Sequence, residues 1–183
     1  MTRIVRAVSA SLAVLVLAPR AAQAGPPLIC HPVDTGGAPS LPWGSGPGWS
    51  TPQQGYDHTR LVNDTLALLT PSTPIRARME TLRRATVYVM RDPDRARELL
   101  GRLEERARDG RPGEGGVLAL FDAGYLIETY KQARIITGRD IIDPARDGEA
   151  MVREARQRRD KDPDIEYAVG LIASGKPSNR SSR

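Results

Sequence analysis

The 183-residue chain carries 27 basic and 22 acidic side chains, a net charge of +5, with 39% hydrophobic and only 4% aromatic residues. The positive excess sits at its two ends: three arginines and no acid lie in residues 1–24, and Lys176, Arg180 and Arg183 lie in the tail, which leaves 21 basic against 22 acidic residues over 25–175. A nucleic-acid binder concentrates positive charge on its folded body, so that class is disfavoured; a single cysteine excludes an internal disulfide framework, and about 120 residues for the ordered part allow one core, not two.

Residues 1–24 have the grammar of a secretory signal peptide. Arg3 and Arg6 start it, Ala7 to Ala18 is almost wholly apolar, Pro19 ends that run, and Ala22-Gln23-Ala24 offers the small-x-small cleavage pattern. The run of about 12 residues is well short of the ~20 that span a bilayer as a helix. The expectation is an exported protein, periplasmic or secreted, whose mature chain begins at Gly25 and has no transmembrane segment. Cys30 follows too late, and behind the bulky Ile29, to be a lipidation site.

Residues 25–55 hold seven glycines and seven prolines, which disfavour regular structure and predict an irregular arm. The arm also carries Leu28, Ile29, Leu41, Trp43 and Trp49, including both tryptophans of the chain. A disordered linker rarely carries such residues. Leu41-Pro42-Trp43 is expected to dock on the helical body or on a partner.

From Asp57 the pattern becomes helical. His58, Leu61, Val62, Thr65 and Leu69 fall on one face, and Pro71 stops the run. Thr73-Pro74 reads as the next start, a capping residue followed by proline in the first turn, with Ile75, Met79, Leu82, Thr86, Val89 and Met90 facing one way. Asp92-Pro93 restarts the pattern with Ala96, Leu99, Leu100, Leu103 and Ala107, and Gly110 ends it. Val117 to Ile127 is apolar on all sides except for Asp122 and Gly124, as befits a helix at the centre of a bundle. Its continuation runs to Thr137, with Gly138 as the cap. Gly124 in mid-helix predicts a close approach of a neighbouring helix, since it otherwise costs about 1 kcal/mol against alanine. Asp143-Pro144 and Asp162-Pro163 open two further helices. No stretch alternates like a strand. The predicted architecture is all-α: a small bundle or short array of about six helices over 56–174, behind the 25–55 arm, with a disordered basic tail over 175–183.

Chemistry is thinly represented. Cys30 and His31 are good zinc or copper ligands, and His58, with Asp34 or Asp57, would have to complete a site. Structural zinc usually shows four Cys/His ligands, and the chain has three such residues in all. The expectation is therefore no cofactor, with a metal or redox site at Cys30, His31 and His58 as the alternative. No Gly-x-Ser-x-Gly elbow exists for a serine nucleophile. Asp122 and Glu128, in or beside the most apolar helix, must be paired or have a raised pKa. They read either as ion pairs with an arginine such as Arg84 or Arg134, or as the acid of a hydrolase pocket.

The succession of short amphipathic helices with proline-marked starts, together with Ala-Gly-Tyr at 123–125 and Tyr-Lys-Gln-Ala at 130–133, resembles tetratricopeptide-type helical hairpins over residues 74–137. That resemblance implies peptide binding. Separately, Ile29-Cys30-His31-Pro32 followed by Ser40-Leu41-Pro42-Trp43 resembles the start of uncharacterised exported bacterial proteins, which implies export. The functional expectation is an exported, non-enzymatic module that binds a protein or peptide through Leu41, Trp43, Trp49, Tyr125 and Tyr130. The tyrosines could form a groove, although aromatics at helical spacing are more often core.

Overall fold

A computed structural model of the chain describes residues 25–110 and 113–175. The predicted leader, and all of the predicted tail beyond Gly175, lie outside them together with the readings made of them. The described residues form seven α-helices and no strand: α1 Pro27–Cys30, α2 Leu61–Leu68, α3 Ile75–Val89, α4 Pro93–Asp109, α5 Glu114–Thr137, α6 Gly148–Arg158 and α7 Pro163–Ser174. No helix among them is long and apolar enough to cross a membrane.

The all-α expectation holds, and six of the seven helices correspond to those read from periodicity. The seventh, α1, is a single turn inside the arm, with Pro27 in its first turn, where a missing N–H costs nothing. The helix starts differ in detail. Asp92 and Asp162 cap α4 and α7 by accepting from Arg95 N and from Asp164 N and Ile165 N. Thr73 does not cap α3; its hydroxyl donates to the Leu68 carbonyl and so closes the end of α2. Asp143 forms a turn with Ala145 N, and α6 starts four residues later on an Asp147 cap. His58 leaves the buried face assigned to it, because residues 58–60 form a tighter 3₁₀ turn before α2 begins.

Two helices form the centre. Every residue of α5 from Val117 to Tyr130 is buried, as its continuous apolar run requires. The other is α3, in which only Arg76 and Arg84 escape burial. Its sequence is amphipathic, and the structure buries the polar side by laying the arm over it. Against α5 packs α6, and there the mid-helix glycine has its reason. A β-carbon at Gly124 would lie 2.6 Å from the Gly148 carbonyl oxygen and 2.8 Å from the Met151 β-carbon. Gly138 ends α5 in the left-handed conformation, φ 72°, its N–H bonded to the Arg134 carbonyl.

Candidate functional site

The arm is built into the body. Glu80 on α3 accepts from Val33 N at 2.9 Å, from Arg83 Nε at 2.7 Å and Nη2 at 2.8 Å, and from Arg84 Nε at 2.7 Å. Arg83 then donates through Nη1 to the carbonyls of Ile29 and Trp49, and Arg84 to that of Leu41. Tyr88 donates to the Pro42 carbonyl and accepts from Gln53 N. Burial opposes the charge on Glu80, but the two guanidiniums and the Val33 amide hold its pKa below the ordinary carboxylate value. The cluster closes because one carboxylate serves two guanidiniums, whose remaining donors reach backbone oxygens of a segment that has few partners of its own.

Leu41 is fully buried beneath this cluster. Trp43 is half-buried, with Arg83 5.0 Å and Arg84 5.5 Å from its ring centre and Tyr88 edge-on at 5.8 Å. Trp49 is likewise half-buried against the core. Tyr125 and Tyr130 are fully buried in α5. Of the five residues expected to meet a partner, Leu41, Tyr125 and Tyr130 are core, Trp43 is occupied by the chain's own arginines, and Trp49 is half-buried against the core. The apolar stretch of α5 accounts for the tyrosines, and the arm's need for anchors accounts for Leu41 and Trp43.

The candidate metal ligands do not converge. Among the described residues no three His, Cys, Asp or Glu side chains gather as a metal could use them. Cys30 is half-buried at the end of α1, where burial raises its thiol pKa and Arg83 pulls it back. His31 is exposed beside it, and the exposed His58 lies against the rings of Tyr56 and Tyr88 at 6.0 and 5.3 Å.

A cleft of about 630 Å³ lies where the α2–α3 turn meets α4 and the start of α5. Its walls are apolar, from Leu66, Leu69, Leu118 and Ala119, and its polar side chains among the described residues are Thr70, Arg78, Arg106, Asp109 and Asp122. Asp122 Oδ2 receives Arg78 Nη1 at 2.6 Å in a pair almost wholly sealed from solvent. Its partner is neither Arg84 nor Arg134, because Arg78 is the arginine on the α3 face that meets α5. Arg78 also donates to the carbonyls of Thr73 and Thr70, and Arg106 through Nη1 to those of Leu66 and Leu69. Two cations thus hold the carbonyl end of α2 and the turn after it, the end that a helix dipole makes negative.

Among the described residues, one atom of the cleft lining is left without a partner. Asp122 Oδ1 is buried and has no hydrogen-bond partner. Burial pushes the Asp122 pKa up to about 7 even though Arg78 and Arg106 pull it down. Arg106 is exposed at the rim and bonded to carbonyls, and its pKa is lowered by burial and by Arg102 and Arg78 while Asp122 raises it. The chain matches no family model, no curated protein and no solved structure.

Glu128, the other acid singled out in the sequence, has a structural place. It accepts from Lys131 at 2.8 Å and from Glu149 N at 3.1 Å, and so ties α5 to the start of α6. Sequence reading found Asp122 but missed Arg78 and Arg106. The signal for Arg78 was present: it stands three residues after Ile75 and four before Leu82, on the apolar stripe itself.

Proposed function

We propose that this protein is exported and acts by binding, taking up a segment of another polypeptide in the cleft between the α2–α3 turn, α4 and α5. The observation that carries the reading is the cleft itself: about 630 Å³, apolar-walled, with a buried Arg78–Asp122 pair in its lining. Ligand sites commonly have that size and that mixture of apolar wall and few polar groups. Export is supported by the signal-peptide pattern of residues 1–24, and peptide binding by the resemblance of residues 74–137 to helical-hairpin repeats.

Ala67 lines the cleft from an exposed position on α2, so Ala67→Trp fills the opening without entering the core. Pull-down from periplasmic extract with the wild-type protein and with Ala67→Trp tests the reading. Capture lost on Ala67→Trp while the far-ultraviolet circular dichroism is unchanged supports it; capture equal in both, or absent from both, refutes it. The observation favouring a hydrolase instead is Asp122 itself, a buried acid that titrates near neutrality. A hydrolytic activity abolished by Asp122→Asn would establish that second reading.

A further inference from the structure

We propose that the C-terminal end of α5 docks on an anionic lipid surface, with Ile135 and Ile136 entering the headgroup boundary and Lys131, Arg134 and Arg139 meeting the lipid phosphates. This face lies at the opposite end of α5 from the cleft, so neither reading depends on the other.

The apolar part is small and concentrated. Among the described residues the large hydrophobic side chains left exposed are Ile135 at 68%, Ile136 at 37% and Tyr167. The two isoleucines are neighbours in the last turns of α5, whereas Tyr167, on α7, has the Arg76 guanidinium over its ring. Beside Ile135 runs a groove of about 610 Å³, lined from α5 by Glu128, Lys131, Gln132 and Ile135 and from the end of α7 by Ile172 and Gly175. The α5 positions recur at intervals of three and four, so they share one face of the helix. No helix of the described chain is long and apolar enough to cross a bilayer, so the contact is with the membrane surface, where a few apolar side chains set among cations suffice.

Charge selects the occupant. Lys131 is bonded to Glu128 at 2.8 Å, and Arg134 stands 3.7 Å from Asp140. Arg139 is exposed just after the Gly138 cap. Lys176, Arg180 and Arg183 follow Gly175 in the chain, and residues 176–183 contain no acid. This face and the segment that leaves it therefore set six cations against Glu128 and Asp140, whereas residues 25–175 as a whole hold 21 basic and 22 acidic side chains. Cations near an anionic bilayer are drawn to its phosphates, and their long side chains reach them while apolar neighbours lie deeper. A protein partner matches the face less well. A stable interface buries about 800 Å² on each side around a centre poor in charge, and here Arg134 and Lys131 stand directly beside the isoleucines.

Vesicle co-sedimentation tests this with the chain from Gly25 onward, which keeps every described helix and every core residue and omits the apolar residues 7–18, themselves able to enter a bilayer. The probes are vesicles of phosphatidylcholine alone and of an equal mixture of phosphatidylcholine and phosphatidylglycerol. Binding to the mixture should be stronger by roughly tenfold or more. Ile135→Ser/Ile136→Ser should weaken that binding by roughly tenfold with the thermal midpoint unchanged, since neither side chain is buried. Arg134→Gln/Arg139→Gln should weaken it by roughly tenfold as well and leave binding to phosphatidylcholine as it was. Equal binding to the two vesicles, or binding to neither, overturns the inference. Binding that survives the isoleucine change and is lost on deleting residues 176–183 is adsorption of the basic tail alone, and it overturns the docking face. A dimer in analytical ultracentrifugation that the isoleucine change dissociates gives the face to a second copy and overturns the lipid.

Discussion

Glutamine at position 80 keeps the shape of the side chain and removes the charge that holds the arm to α3. Glu80 is 1% exposed and Arg83, its closest partner, 0%. In Glu80→Gln the amide nitrogen is a donor facing the donors of Arg83 and Arg84, and the Arg83 guanidinium is left sealed in without a counter-charge. Removing one member of a buried pair costs about 3–5 kcal/mol. At ~2–4 °C per kcal/mol for a domain of this size, the thermal midpoint should fall by roughly 6–20 °C. Because the volume is conserved, no cavity contributes. Val33 N exchanges a carboxylate acceptor for a neutral amide oxygen in the same change, so the arm should loosen, and limited proteolysis should cut between residues 31 and 55 before the body unfolds. The double variant Glu80→Gln/Arg83→Met removes the stranded charge and should recover part of the loss. A midpoint within about 2 °C of wild type, or a double variant less stable than Glu80→Gln, would refute the argument that the charge cluster fastens the arm.

Three other perturbations follow from the same packing. Burial lifts Asp122 to about 7, above its unfolded value of ~3.9, so between those values the folded state holds a proton that the unfolded state has given up. The stability from this group is full below about pH 4 and is lost as pH rises through 7; urea midpoints at pH 5 and pH 8 should differ less in Asp122→Asn than in wild type, and equal differences would count against the buried acid. Gly124→Ala places a β-carbon 2.6 Å from the Gly148 carbonyl and should cost about 1–3 kcal/mol by urea unfolding; a neutral result would mean that α5 and α6 do not approach so closely. Tyr130→Phe deletes a buried hydroxyl with no hydrogen-bond partner, so its thermal midpoint should stay level or rise. A fall of more than about 1 kcal/mol would reveal a hidden partner for that hydroxyl.

The helices were legible because their apolar spacing is regular, and α5 could be placed at the centre because Val117 to Ile127 leaves no polar face. Gly124 announced the α5–α6 contact for a similar reason, since glycine in mid-helix needs a neighbour close by. The burial of α3 was hidden. Its polar positions Glu80 and Arg83 look solvent-exposed in any helical projection, and only the arm, more than thirty residues away in the chain, covers them. Local periodicity cannot register a cover that arrives from elsewhere. The cleft fell between these cases. Asp122 stood out against its apolar run, while Arg78 passed as one more arginine in an arginine-rich chain, although it occupies the stripe shared by Ile75 and Leu82. A lone acid and a lone base on the core faces of two helices would have been enough to pair them.

The first turn of the arm also constrains when the molecule can form. Leu28 N is bonded to Gln132 Oε1, 104 positions downstream, and Pro27 lies beside Gly175 just past α7. Such distant closures are slow to nucleate, and a chain emerging from its amino end must hold Leu28 and Ile29 without their native cover until nearly all of it has been released. On the export proposed above, the chain would stay uncommitted while it crossed, and these last contacts would close only afterwards.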